Sequence, residues 1–277
     1  MDRQFSLIHL TVGSCPPPKL VYAAQNAGFD FVSFRGIPAR GRAFPTALSG
    51  AAAFSFADSP TLLRDTKAAL HNSGMKINDI ENARIFDGVV AKEYRRDLEA
   101  AAELGCTNIL TNVWNSDMNE ALDAFCVLCE IASEYGQTVH IEFVTWSALR
   151  GLKDTLAFLN RSGMQNVGIV VDSLHFYRSH VTLSELSAIP SNYLAYMHLC
   201  DAEAAIPSDP VELARTAVTK RMIPGEGAID ILGIARMMPP STVYGMEVPN
   251  PEKISALGVN EYLRELLTKT KQYMSNL

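Results

Sequence analysis

Residues 138–172 read TVHIEFVTWSALRGLKDTLAFLNRSGMQNVGIVVD. The stretch opens on an apolar run, Thr138 to Phe143, and closes on another, Val167 to Asp172. Between them Leu152 to Ser162 has helical spacing and stops at Gly163. Apolar runs of this length bounded by turn signals are strands buried on both faces. Strand, helix and strand together make a βαβ unit, which implies a parallel sheet. Both runs carry a carboxylate at their C-terminal end, Glu142 and Asp172. In parallel sheets and barrels that end of the strand is where ligands bind.

Working outward, the same unit recurs in both directions. Upstream, strands are predicted at Phe5–Val12, Phe31–Arg35, Lys76–Glu81 and Thr107–Val113. The helices between them run from Pro16 to Gly28, Pro60 to Ser73, Ala91 to Leu104 and Asn119 to Tyr135. The first has Pro at its start and Gly at its end, the expected asymmetry, and Gly74, Gly105 and Gly136 stop the others. Downstream come a short helix at Leu183–Ala188, strands at Leu194–Leu199 and Thr242–Val248, and a final helix at Asn260–Met274. Eight strands in 277 residues, with no linker and no change of composition, predict an α/β fold. The expectation is a (β/α)8 TIM barrel forming a single domain over residues 1–277. An open doubly wound sheet would carry a glycine fingerprint after its first strand, whereas Gly13-Ser14-Cys15-Pro16 is neither G-x-G-x-x-G nor a P-loop.

Bulk properties exclude several classes. A net charge of −6 argues against a polyanion surface, so no nucleic-acid partner is expected. The five cysteines are odd in number and scattered, which suits a reducing cytoplasm rather than a disulfide framework. Cys126 and Cys129 have C-x-x-C spacing, but they fall inside a helix and have no second pair, so they read as core residues. The opening Met1-Asp2-Arg3-Gln4 lacks the pattern of a signal peptide. No run approaches the roughly 18 apolar residues of a membrane span. A soluble cytoplasmic protein with no membrane partner is the expectation.

On this strand count Glu142, Asp172, His198 and Glu247 close the last four strands, which neighbour one another around a barrel. Three carboxylates and an imidazole form an oxygen/nitrogen donor set suited to a divalent metal. For any one of them the plainer reading is a capping or hydrogen-bonded residue at a strand end. Four at equivalent places favour a ligand set.

Val171-Asp172-Ser173-Leu174-His175-Phe176 resembles a Val-Asp-x-x-His strand end. Ile141-Glu142-Phe143, Met197-His198-Leu199-Cys200-Asp201-Ala202, Arg221 to Gly227 and Met246-Glu247-Val248 resemble other marks of the same group. Together they look like the xylose isomerase-like TIM-barrel superfamily, the sugar phosphate isomerases and epimerases. Its members include ketose 3-epimerases, hydroxypyruvate isomerases, inosose isomerases and dehydratases, 3-dehydroshikimate dehydratases and endonuclease IV. The resemblance implies one divalent ion, Mn²⁺ or Mg²⁺ first and Co²⁺ or Zn²⁺ next, on Glu142, Asp172, His198 and Glu247. It implies that Glu142 and Glu247 are also the acid/base pair. It places His175 against a substrate oxygen and Arg221 against a hydroxyl or carboxylate. The dehydratases often carry Gln where this chain has His198, which leans toward the isomerases and epimerases. Dimers and tetramers occur in the group, so a homo-oligomer is a further implication.

The chemistry needs such residues. Moving a proton beside a carbonyl passes through an enediolate, and a divalent cation stabilises its oxygens. One carboxylate takes the proton. A second returns it to the other face, giving epimerisation, or to the neighbouring carbon, giving aldose–ketose isomerisation. The expected substrate is a carbohydrate, keto-sugar or polyhydroxy acid. The alternative is a lyase on the same site, losing water from a ring like 3-dehydroshikimate or inosose. Arg35, Glu81 and Arg84 also point to the mouth on this count, either binding an anionic group or forming an Arg–Glu network on the rim. Trp114, with Asn112, closes the fourth strand and Trp146 follows Glu142; these rings either stack on a sugar or pack the rim. The loop after Arg221 can fold over the mouth. Segments 38–59 and 203–219 are a lid, a subunit contact or neither. His9 reads as a satisfied core histidine. The six histidines are too few for the multi-metal site of an abasic-site nuclease, and the remaining alternative is a non-catalytic barrel.

Overall fold

Eight short strands carry the molecule: β1 (Gln4–Ile8), β2 (Phe31–Arg35), β3 (Lys76–Glu81), β4 (Asn108–Thr111), β5 (Thr138–Glu142), β6 (Val167–Asp172), β7 (Leu194–Leu199) and β8 (Val243–Met246). In the computed structural model, which describes residues 3–42 and 54–277, they pair in sequence order and β8 returns to β1. Every pairing is parallel, and the pairing of β8 with β1 closes the sheet into a barrel. The helices are α1 (Pro17–Ala27), α2 (Pro60–Ser73), α3 (Arg95–Glu103), α4 (Met118–Glu134), α5 (Leu152–Ser162), α6 (Ser173–Arg178), α7 (Leu183–Ser187), α8 (Pro210–Thr219), α9 (Ile231–Met237), α10 (Pro251–Leu257) and α11 (Val259–Met274). This is the (β/α)8 barrel that the alternating pattern predicts.

Local chemistry sets the helix ends. The Asp117 side chain accepts from the amides of Asn119 and Glu120 to start α4. Thr182 and Glu185 form a capping box for α7. At the other ends the predicted glycine stops hold: Gly28 and Gly74 adopt φ of 92° and 70°, where a side chain is strained.

Each strand alternates two faces. One row packs outward against the helices and forms the main core, with Leu7, Val32, Ile80, Ile109, Ile141, Ile169, Met197 and Met246 all buried. The other row fills the barrel. Its apolar part is small, Leu110, Val170 and Tyr196. The rest is polar: Ser6 and Ser33 share a hydrogen bond of 2.9 Å, Ser33 donates to Asp79 at 2.6 Å, and His140 Nε2 meets Asn108 Oδ1 at 2.9 Å. Gly168 lies in this row because a Cβ there would come within 2.4 Å of the His140 ring.

Several predicted boundaries move. The first strand ends at Ile8, and His9–Val12 turn as a 3-10 helix because the His9 ring binds Cys15 O and the Arg35 amide across the barrel end. That ring is the satisfied core histidine expected. The fourth strand keeps only Asn108–Thr111 and the eighth only Val243–Met246. Residues Ala91–Tyr94 form a 3-10 turn before α3. The helices α6, α8, α9 and α10 were not anticipated. Of the loop 38–59, residues 43–53 lie outside the described residues. Cys126 and Cys129 sit on α4, both free, as expected of helix residues. Among the described residues, no helix is long and apolar enough to cross a membrane.

Candidate metal centre and substrate cavity

Glu142 ends β5, Asp172 ends β6, His198 is one residue from the end of β7, and Glu247 follows β8. All belong to the row that fills the barrel. In register, Asp172 stands beside His198 and His198 beside Gly245. One ligand atom from each of Glu142, Asp172, His198 and Glu247 lies within 4.8 Å of the others, and all four residues are buried. His198 Nδ1 is 3.1 Å from Glu142 Oε1 and 3.6 Å from Glu247 Oε2.

The neighbours fix each ligand's orientation. Asn112 Nδ2 donates to Glu142 Oε2 at 3.1 Å and to its backbone carbonyl at 2.9 Å. Asp172 Oδ1 accepts from the amides of Leu174 and His175 and so caps α6. Its Oδ2 accepts from Arg221 Nη1 at 2.6 Å. Arg221 Nη2 reaches Glu247 Oε2 at 3.0 Å, and its Nε donates to Ala217 O at the end of α8. Gly245 makes room for the imidazole: a Cβ there would lie 3.0 Å from His198 Cδ2 and 2.7 Å from Ile8 Cδ1.

Electrostatics follow from this packing. Burial disfavours the charged form of His198, but hydrogen bonds to Glu142 and Glu247 outweigh it and hold the ring's pKa well above its usual value. Burial likewise opposes ionisation of Glu247, yet Arg221 and then His198 hold that carboxyl well below the carboxylate range. Glu142 is lowered too, with burial opposed by its hydrogen bond from His198. The cage is therefore anionic oxygen balanced by an imidazolium and a guanidinium.

These residues fit a divalent ion. Metal–oxygen bonds of about 2.1 Å place opposed donors about 4.2 Å and adjacent ones about 3.0 Å apart, so four donors already within 4.8 Å of one another would draw inward onto an ion. The His198 proton and the Arg221 guanidinium occupy the electrostatic place that such an ion takes. His198 Nε2 is buried without a partner among the described residues. Burial raises the nearby Asp79 carboxyl, and the charge of His198 is the largest effect opposing that rise.

The cage opens into a cavity lined among others by Arg35, Glu81, Arg84, Trp114, Trp146 and His175. Arg221, Glu142 and Glu247 form its floor. All five residues expected to meet substrate, His175, Arg221, Arg35, Glu81 and Trp114, are thus brought together. His175 lies in the first turn of α6 and is buried. Its Nδ1 is engaged by Thr145 and its ring meets Trp146 edge to face at 5.1 Å. Ala217 and Val218 of α8 add a wall, so segment 203–219 contains a helix fixed beside the cavity. Arg178 pins that helix through Leu213 O and Thr216 Oγ1. The loop after Arg221 does not cover the mouth. Buried Asp201 accepts from the amides of Gly225, Gly227 and Ile229, and Glu226 pairs with Lys253 and Lys269 on α10 and α11. Asp79, Gly245 and the α8 residues escaped sequence reasoning, because their role depends on what lies across the barrel.

Comparison with known proteins agrees with the fold. The profile of the family described as xylose isomerase-like TIM barrel matches residues 21–266, so the chain belongs to that family. An inosose isomerase of Bacillus licheniformis is 30% identical over 146 residues, 49% of this chain and 49% of that protein. The match therefore spans about half the length of that relative. The crystal structure of the IOLI protein with a bound zinc atom superposes with a TM-score of 0.74 at 18% identity, covering 99% of this chain and 98% of that one. D-allulose 3-epimerase from Methylomonas sp., in complex with D-allulose, gives a TM-score of 0.65 at 13% identity, covering 98% and 97%.

Proposed function

We propose that this member of the xylose isomerase-like barrels is a divalent-metal-dependent isomerase or epimerase of a small hydroxy-ketone of the sugar class. The observation that carries the reading is the buried group Glu142, Asp172, His198 and Glu247, of which Glu142 and Glu247 line the cavity. Relatives named inosose isomerase and D-allulose 3-epimerase support that reaction class. A zinc atom in a protein of the same fold supports a metal requirement.

When bound, a divalent ion on these four residues supplies positive charge to the substrate's carbonyl and neighbouring hydroxyl oxygens. The protein does the rest. Glu142 and Glu247 both face the cavity, and both are held ionised. One accepts the proton from the carbon beside the carbonyl as the enediolate forms. The resulting carboxylic acid gives it back to the neighbouring carbon in isomerisation, whereas in epimerisation the other carboxylate first takes a proton from water and delivers it to the opposite face. Asn112 holds one Glu142 oxygen and leaves the other toward His198. Arg221 fixes Glu247 and adds a cation at the place where negative charge develops. His175, locked by Thr145, offers its remaining ring nitrogen to a substrate hydroxyl, and Trp114 and Trp146 wall off water.

The test is metal analysis of purified protein together with solvent deuterium exchange into a panel of keto-sugars. One equivalent of metal and exchange into at least one substrate is expected. Glu247→Gln should lower exchange by roughly 10²-fold or more, the usual weight of a general acid–base group. A folded wild-type protein that takes up no divalent metal sinks the reading. Loss of a hydroxyl from the product would move the protein to the lyases.

A further inference from the structure

Arg35 ends β2, and Arg84 follows β3, across the closed barrel from β6 and β7. Both line the cavity. Arg35 is 9% exposed, and its amide is tied down by His9 Nδ1 at 3.1 Å. Its guanidinium approaches Glu81 only at 3.6 Å, too far for a hydrogen bond. Nε and Nη1 of Arg35 and Oε1 of Glu81 are buried with no partner among the described residues. A finished structural pair in the same molecule looks different: Arg40 grips Asp97 with two hydrogen bonds of 2.7 Å. The Arg35–Glu81 contact is therefore not a completed rim network.

Charge points the same way. Burial and then the charge of Arg35 pull the Arg84 guanidinium down to about 10, which places two cations close together in a desolvated wall. Burial lifts Glu81 to about 7 against the pull of Arg35, so it neutralises that wall incompletely. Buried arginine donors without acceptors are costly, and a planar fork of N–H groups matches the oxygens of an anion. A divalent ion in the cage would add to the positive balance of the cavity.

Resting on the reading above, we propose that the substrate carries a second, anionic group, a carboxylate or a phosphate ester, bound by Arg35 beside Arg84. The hydroxy-ketone end then lies over Glu142, Glu247 and Arg221, and the anion lies at the far wall. The hydroxyls of a neutral sugar can accept from Arg35 but do not balance its charge, so the anion decides which polyhydroxy compounds bind.

D-glucitol, D-gluconate and D-glucitol 6-phosphate share a six-carbon polyol chain and lack the ketone, so they test binding without turnover. Titration calorimetry on metal-free and Mn²⁺-loaded protein should show at least one anion binding tenfold or more tighter than D-glucitol. Preference for gluconate identifies a carboxylate, and preference for the phosphate identifies a phosphate ester. Arg35→Gln should bring that preference within about twofold while D-glucitol binding stays unchanged. Arg35→Lys, which keeps the charge and loses the fork, should fall between, and it serves if the Gln variant melts early. Equal binding of all three probes overturns the proposal. So does a preference that survives Arg35→Gln, because the anion then sits on the metal. Metal uptake with exchange into a neutral ketose but no anion preference would sink this inference alone. Anion preference without metal uptake would sink the functional reading alone.

Discussion

Asp172 serves two structures with its two oxygens. Oδ1 caps α6 and Oδ2 accepts from Arg221, so the capping role takes up one oxygen and leaves the other within the group of four. The four cage residues were legible because each closes an apolar run. Arg221 was legible as a residue near the mouth, but not its grip on Asp172 and Glu247, since nothing in spacing shows a side chain crossing the barrel. His198 carries a prediction at this scale. Its raised pKa means that metal must displace a proton at neutral pH, not only below the ring's ordinary value. Chelator-competition titrations should show affinity rising by up to about tenfold per pH unit between pH 6 and 8, the weight of one proton. Affinity that stays flat over that range refutes the assignment of the ring as a ligand.

At the scale of elements, the row filling the barrel is both floor and site. Arg35, Glu81, Glu142, Asp172, His198 and Glu247 continue the alternation that Ser33, Asp79, His140, Val170, Tyr196 and Gly245 begin below them. Strands and glycine stops could be read from periodicity. The helices α6 and α10 could not, because six or seven residues are too few to show a helical period. The value of Gly245 also stayed hidden: a glycine in a strand is informative only once its neighbour across the ladder is known. Gly245→Ala should push the His198 ring aside. A loss of roughly tenfold in metal affinity is expected, with the melting temperature lowered by only a few degrees. An unchanged affinity would show that the ring can relocate without cost.

For the whole molecule, strand order and closure were readable because parallel strands in regular alternation admit few arrangements. The polar interior was not, because the same residues read as ordinary strand polarity. That interior sets the acid limit of the fold. Burial lowers His140 to about 3, and it lowers His9 to about 4 with the Cys15 carbonyl opposing. Each folded ring stays neutral where the unfolded ring, with its ordinary pKa near 6.5, takes a proton, so the unfolded chain gains protons and stability falls with pH. Glu81, raised to about 7, acts in the opposite direction. The fall in unfolding free energy of metal-free protein between pH 6.5 and 4.5, followed by urea unfolding, should therefore be smaller by about 2.3 kcal/mol in His140→Gln than in the wild type, because the unfolded ring goes from half to fully protonated over that range. Parallel curves for the two proteins would refute a neutral buried His140. The barrel mouth has one more consequence, an optical one. The chain has two tryptophans, and both Trp114 and Trp146 border the cavity. Light absorbed at 295 nm is therefore emitted from the site alone, and the unlabelled protein reports on its own occupancy.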